Sequence, residues 1–300
     1  MKTFKLTAAS VALVSATTAA AEDWRETFSS VGYGVQSVES QGAALSRYTE
    51  FAPYVKDNLG AKLDVYLASN YAGVIQALLG EQIEFMHMGA SGYAAAHLQS
   101  DGNVEPLVAP KNPDGSIGYH SVMIVRADSD YQSIEDLKGE TFAWADPNST
   151  SGYLMPNSSL RSQGINPKEH FGEVVFSGGH EQSVIGLMDK TYEAVVTWTN
   201  DPEKHTRGGI NMMLERDVIE KDDFRVIWSS EPIPNPVIAA RGDLPQDLID
   251  DFQQMLLNLK EKNEKIFRQV ARGKSPGFQK VTQEDYAPIV EMRKRMDEWQ

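Results

Sequence analysis

The run Asp146-Pro147-Asn148-Ser149-Thr150-Ser151-Gly152 follows the apolar stretch Thr141 to Ala145 and sets three hydroxyl side chains between a proline and a glycine. It reads as the mouth of a helix built to hold an anion. The first N–H groups of a helix have no intrahelical partner and carry the positive end of its dipole. Ser and Thr hydroxyls add donors, and Gly152 lets the backbone come close to a ligand. The same residues also suit an ordinary N-cap and turn, in which the hydroxyls serve the chain itself.

The elements that must position this run alternate between strand and helix patterns. Ser30 to Gln36, Lys62 to Leu67 and Glu84 to Met88 read as strands; Gly42 to Leu59, Tyr71 to Leu79 and an Ala-rich stretch from Tyr93 read as helices. A Pro/Gly-rich piece, Pro110 to Gly118, leads into a long strand, His120 to Arg126. Alternation resumes with Phe142 to Ala145, a helix from Ser151, Glu173 to Ser177, a helix from Glu181, Ala194 to Trp198, and Arg225 to Trp228. A second proline-rich break spans Glu231 to Pro236, and amphipathic helices over Gln246 to Leu259 and Asp285 to Trp299 finish the chain. This order implies α/β architecture with mostly parallel sheets flanked by helices. Two irregular breaks around a central α/β segment suggest one lobe inserted in another, joined by two crossings.

Met1 to Ala21 has Lys2 and Lys5, an apolar stretch and a terminal Ala-Ala-Ala, the pattern of a cleaved secretory signal. The expected mature chain begins at Glu22, its length suits about two domains, and its expected compartment is the periplasm. The absence of Cys leaves no disulfide framework, thiolate chemistry or Cys-based zinc site. A formal net charge of −14 argues against nucleic acid as a partner. An anionic ligand must then be held by short-range desolvated hydrogen bonds rather than by overall charge.

Several pieces in register resemble the phosphate/phosphite/phosphonate-binding proteins of ABC transporters, of the phosphonate-binding PhnD type. They are Val38-Glu39-Ser40-Gln41, Asn70 to Gln76, Gly118-Tyr119-His120-Ser121-Val122, Asp146 to Pro156, Gly179-His180-Glu181, and Val226-Ile227-Trp228 with the prolines beyond. The resemblance implies a two-lobed periplasmic binding protein fold of type II, closing on a small-molecule phosphonate and delivering it to a membrane permease, without a cofactor or metal. It implies that Ser149, Thr150 and Ser151 hold the phosphonate oxygens, that Tyr71 and Tyr119 donate hydroxyls to them, and that His180 points into the cleft. For Ser91 and Tyr93, capping and packing stand beside a ligand role. Lobe 1 is expected over 22–117, lobe 2 over 118–236, and a return segment with the C-terminal helices over 237–300. Nothing in the acidic surface calls for more than a monomer.

The chain departs from relatives that place carboxylates against a ligand ammonium. The aligned positions are Asn200 and Asn235, with Asp201 and Glu39 as nearby carboxylates and Trp198 as a candidate ring for a cation. An amide cannot replace a carboxylate as counter-ion, so preference for an amino tail is expected to weaken, by about 2 to 4 kcal/mol for two such changes. Phosphate or phosphite on the same fold is the alternative ligand, and sensing rather than transport the alternative role. A phosphatase or esterase is the rival class: among the six His there is no HxxxH or HxH pair, and no G-x-S-x-G elbow occurs.

Overall fold

The computed structural model describes residues 23–36, 41–112, 118–205 and 207–296. The expected leader, Met1 to Ala21, and the candidate carboxylate Glu39 lie outside the described residues.

The alternating apolar runs pair into two six-stranded sheets. Strands β1 (Ser30–Gln36), β2 (Lys62–Ala68), β3 (Phe85–Met88) and β4 (Val104–Pro110) begin the first sheet. The second takes β5 (Gly118–Arg126), β6 (Thr141–Trp144), β7 (Glu173–Phe176), β8 (Ala194–Thr199), β9 (Phe224–Ser229) and β10 (Ile233–Pro234). The chain then returns to the first sheet as β11 (Val237–Arg241) and β12 (Phe278–Lys280), giving the orders β12-β4-β11-β3-β1-β2 and β10-β5-β8-β6-β7 with β9 on β5. Parallel pairing joins β1 to β2 and β3, and β6 to β7 and β8. The remaining pairings are antiparallel, so the sheets are more mixed than alternation alone suggests. Parallel neighbours need a crossover helix. By contrast, β11 re-enters straight from the proline-rich crossing and lies between β3 and β4 against their direction.

Period-two alternation sets the second lobe's core. Val122 and Ile124 face one way, onto Val184, Leu187 and Ile210. Met123 and Val125 face the other, onto Phe142, Trp144, Leu160 and Phe171. In the first lobe, helix Gln246–Lys262 buries Leu248, Ile249, Phe252, Met255, Leu256 and Leu259, an apolar stripe at helical spacing. Phe252 stacks on Phe85 with ring centroids 3.8 Å apart.

The helix expected over Gly42 to Leu59 is two helices, Gln41–Tyr48 and Phe51–Leu59. Pro53 accounts for the break. It lacks an N–H and its ring clashes with a carbonyl four residues back, so it is tolerated in the first turn of the second helix and not in the middle of one long helix. Phe252→Ala should lower the stability of the unliganded protein by about 3 to 5 kcal/mol in urea titration, because the fully buried ring leaves a cavity among Tyr33, Phe85 and its helix neighbours.

Candidate functional site

The hydroxyl run opens the helix that follows β6, and its first turn is wider than expected. Thr150–Leu154 is a π-helical turn that passes directly into the α-helix Met155–Ser162. Leu154 N–H reaches back to the Ser149 carbonyl at 3.0 Å. Ser149 caps the turn, its Oγ accepting from Gly152 N–H at 2.9 Å. Gly152 cannot carry a side chain here: a Cβ would lie 2.5 Å from the Ala145 Cβ and 2.8 Å from the Ser149 Oγ. The capping role is therefore real for Ser149. It leaves Thr150 and Ser151, both buried, at the mouth.

The first lobe brings its own helix starts to this mouth. Asn70 caps the helix Tyr71–Leu79 by accepting from Gly73 N–H at 2.9 Å. Gly89 precedes the helix Ala90–Gln99, and a Cβ on it would sit 3.1 Å from the Thr150 Oγ1. Close approach follows: Ser91 N–H donates to the Thr150 Oγ1 at 2.8 Å. The Tyr71 hydroxyl lies beside Ser149, and the Tyr119 hydroxyl, on β5, beside Ser151 and Thr150. The Asp146 carboxylate accepts from Asn148 N–H at 2.7 Å and faces the backbone N–H of Tyr71 across the lobe boundary. Arg293, from helix Gln283–Lys294, adds a second link by donating to the Ser91 Oγ at 2.7 Å and to the Asn148 Oδ1.

Tyr71, Gly89, Tyr119, Ser151, His180, Trp198, Pro236 and Arg272 enclose a cavity of about 10 Å³ between the lobes. That is room for about one water. Burial raises the Tyr71 and Tyr119 hydroxyls well clear of ionisation, so both remain neutral donors. His180 opens the helix His180–Met188, and its Nε2 lies 3.1 Å from the Ser149 Oγ. Burial, assisted by the Arg272 charge, lowers its pKa to about 3, so the ring is neutral at ordinary pH. Its Nδ1 is buried with no hydrogen-bond partner among the described residues.

A family model described as the ABC transporter, phosphonate, periplasmic substrate-binding protein matches residues 33–286. The chain belongs to that family. It is a family of transport substrate-binding proteins, not of enzymes. The phosphonates-binding periplasmic protein of Escherichia coli strain K12 is 29% identical over 233 residues, 76% of this chain and 65% of that protein. The matched stretch thus spans just under two thirds of that relative's length. A binding protein component of a phosphonate ABC transporter from Pseudomonas aeruginosa is similar in structure, with TM-score 0.78 and 22% identity over 89% of this chain and 87% of that one. PhnD1 from Prochlorococcus marinus MIT 9301, solved in complex with methylphosphonate, has TM-score 0.77 and 19% identity over 90% of this chain and 98% of that one. At these identities the shared property is the two-lobed type II fold.

Of the residues singled out in the sequence, Tyr71, Tyr119, Ser149, Thr150, Ser151, His180 and Ser91 converge on this seam, whereas Asn200, Asp201 and Asn235 do not line the cavity. The geometry gives the three other work. Asn200 Oδ1 accepts from Arg207 N–H at 2.7 Å, and Asp201 Oδ1 accepts from the N–H groups of Glu203 and Lys204 at 2.9 and 3.1 Å. Both shape one turn. Asn235 is fully buried; its Nδ2 donates to the Pro110 carbonyl at 2.6 Å and its Oδ1 accepts from the Arg207 Nη2 at 2.8 Å. The same Arg207 nitrogen donates to the Asn112 Oδ1 at 2.9 Å. Asn112 and Asn235 lie in the two crossings, so one buried guanidinium ties them together. Tyr93 is buried at the far end of its helix's first turn, stacked near His97 and Tyr286, and serves packing.

Two cations were missed in the sequence. Burial lowers the pKa of Arg207 only to about 10, which keeps it charged. Arg272, 4% exposed, follows the helix Glu264–Val270 with a left-handed φ of 56° and lines the cavity. Neither sits in a recognisable motif.

The neutral His180 carries a stability consequence. Its pKa is near 6.5 unfolded and about 3 folded, so the unfolded chain binds more protons between those values and stability falls as pH drops through that window. Going from pH 7 to pH 5 should cost about 2 kcal/mol through this residue. Denaturant midpoints of the unliganded protein at the two pH values should show that loss, and His180→Gln should show a loss smaller by about that amount.

Proposed function

We propose that this chain is the periplasmic substrate-binding protein of an ABC importer that captures an organophosphonate between its lobes and hands it to a membrane permease. The observation that carries the reading is the convergence of a Ser-Thr-Ser helix mouth with Tyr71, Tyr119 and neutral His180 around one buried space between lobes. Every one of these groups offers a neutral donor to an oxyanion, and Arg272 supplies positive charge beside them. The Ser149 Oγ lies 3.1 Å from the His180 Nε2, but it also caps its turn by accepting from Gly152 N–H, and the His180 Nδ1 has no hydrogen-bond partner among the described residues to orient the ring as a base, so retention of the ligand and not its turnover is the expected outcome.

Binding proceeds as a hinge equilibrium. The lobes extend over 22–117 with 237–300, and over 118–236, hinged at the two crossings. With the lobes apart, the second-lobe mouth takes the anion first. Ligand oxygens then stand in for the pairs now made between lobes, Ser91 with Thr150 and Tyr71 with Ser149, and closure is favoured because the first-lobe donors engage only then. The protein works as a monomer, and the leader is cleaved after Ala21 so that the mature chain begins at Glu22; intact-mass measurement on protein secreted to the periplasm should give that N-terminus.

Calorimetry with methylphosphonate, phosphate, phosphite and sulfate tests the ligand class. Methylphosphonate is expected to bind most tightly, and Thr150→Ala to weaken it by about 1.5 to 3 kcal/mol, since the hydroxyl donates to a charged oxygen. Tighter binding of phosphate or phosphite would keep the transport role and change the nutrient. Unaltered affinity in Thr150→Ala and Ser151→Ala would return the hydroxyl run to capping alone.

A further inference from the structure

The last helix of the chain carries a first-lobe side chain across to the second lobe. Helix Gln283–Lys294 is anchored to the first lobe by its buried face. Tyr286 packs near Tyr93 with ring centroids 5.2 Å apart and donates to the Asn235 carbonyl at 3.0 Å, and Ile289 is buried one turn further on. Arg293 follows at the i, i+3, i+7 spacing of that same face. Its guanidinium therefore leaves the helix toward the seam, where it is half-buried.

The two terminal nitrogens are divided between the lobes. Nη1 donates to the Ser91 Oγ at 2.7 Å, at a helix start of the first lobe, and Nη2 donates to the Asn148 Oδ1, in the second. Both acceptors flank the hydroxyl mouth. The Ser91 N–H donates to the Thr150 Oγ1 at 2.8 Å, and the Asn148 N–H to the Asp146 Oδ1 at 2.7 Å. A planar guanidinium holds two acceptors at a fixed spacing, which an ammonium on a flexible stem does not.

Arg293, Ser91 and Asn148 are not among the residues that enclose the inner cavity. A ligand there replaces the Ser91–Thr150 pair and leaves the Arg293–Asn148 contact in place. Nearby, Ser158, Arg161 and Ser162 of the second-lobe helix and Pro288, Glu291 and Met292 of the last helix bound an open cleft of about 550 Å³. Water thus reaches between helices of the two lobes on this flank. A half-buried guanidinium beside water can let go of Asn148 without being stranded as an unpaired buried charge.

Resting on the hinge equilibrium above, we propose that Arg293 is a closure latch, a positioning residue outside the ligand's reach that holds Asn148 against the first lobe and so slows ligand release. The contact breaks whenever the lobes part, and it acts alike on any oxyanion the mouth accepts.

Stopped-flow association and dissociation of methylphosphonate and of phosphate test it, with the wild type, Arg293→Gln, Asn148→Ala and the double variant. Asn148→Ala removes the acceptor and keeps the arginine's charge. Each single variant is expected to release ligand about tenfold faster, the size of one hydrogen bond from a charged donor. The double variant should release no faster than the singles, because both remove one interaction. Arg293→Lys should not restore slow release, and association should not slow in any variant, since the latch is open when ligand enters.

Unchanged release in both single variants, or losses that multiply in the double variant, overturns the latch and leaves the phosphonate reading standing. Faster release in Arg293→Gln but not in Asn148→Ala also overturns it, assigning the arginine to compensation of the Asp146 carboxylate, on which its charge acts. Slower association overturns it as well, since a distorted mouth would then be the cause. Binding of phosphate without methylphosphonate removes the phosphonate reading while release of phosphate still decides the latch; if neither ligand binds, both fall.

Discussion

A guanidinium buried between two asparagines holds the molecule's centre. Arg207 is 2% exposed, and its Nη2 is shared by Asn112 in the first crossing and Asn235 in the second. A buried charge is tolerable only when its donors are satisfied. The two crossings must therefore stay within reach of one side chain, beside the cavity that Tyr119 and Pro236 help to line. The choice of amides has an electrical result. Asparagine oxygens satisfy the donors without cancelling the charge, whereas aspartates would have made a closed ion pair. Arg207 thus contributes a standing positive field beside Tyr119, where the lobes meet.

The seam is also a problem of close approach. Gly89 is where a Cβ would press on the opposite wall, 3.1 Å from the Thr150 Oγ1, and Gly152 is where one would strike Ala145 and its own cap. The missing side chain of Gly89 lets two helix starts from different lobes come within hydrogen-bond range, and that of Gly152 lets the hydroxyl run close its turn. Asp146 completes the arrangement from an unexpected side, since its carboxylate faces the N–H of Tyr71 and so sets negative charge from the second lobe at the positive end of a first-lobe helix. Burial raises its pKa, while the N–H groups of Asn148 and Tyr71 and the Arg293 charge oppose that shift.

Much of this was legible in the sequence because it is local. The alternation of Val122 to Val125 places both faces of the second sheet, the hydroxyl run after β6 marks the mouth, Ser91 stands at a helix start after a strand, and Tyr71, Tyr119 and His180 follow a spaced pattern of resemblance. What escaped is non-local or backbone-borne. Arg272 follows a short helix in a left-handed conformation, and no residue type nearby signals that it reaches a cavity formed by residues spread from Tyr71 to Pro236. β11, Val237–Arg241, reads as an apolar connector until it is seen inserted between β3 and β4. Asn235 was weighed as a displaced counter-ion for a ligand, because alignment compares positions and cannot see that a resident arginine already occupies the amide.

These features resolve how so acidic a chain can hold an anion. Charges on the surface act through water, where screening limits their reach to about 8 Å at physiological ionic strength. The mouth acts through desolvated donors at hydrogen-bond distance, where each bond to a charged oxygen is worth about 1.5 to 3 kcal/mol. The acidic excess is spread over the exterior, while Arg207 and Arg272 are buried at the seam and Arg47 and Arg268 line its outer opening. Net charge is then a property of solubility and encounter, and affinity is a property of a few buried groups whose sign is opposite to the whole. The same separation explains why composition argues against nucleic acid as a partner yet leaves a small oxyanion open: a polyanion must lie against the repelling exterior, and a small one passes inside it.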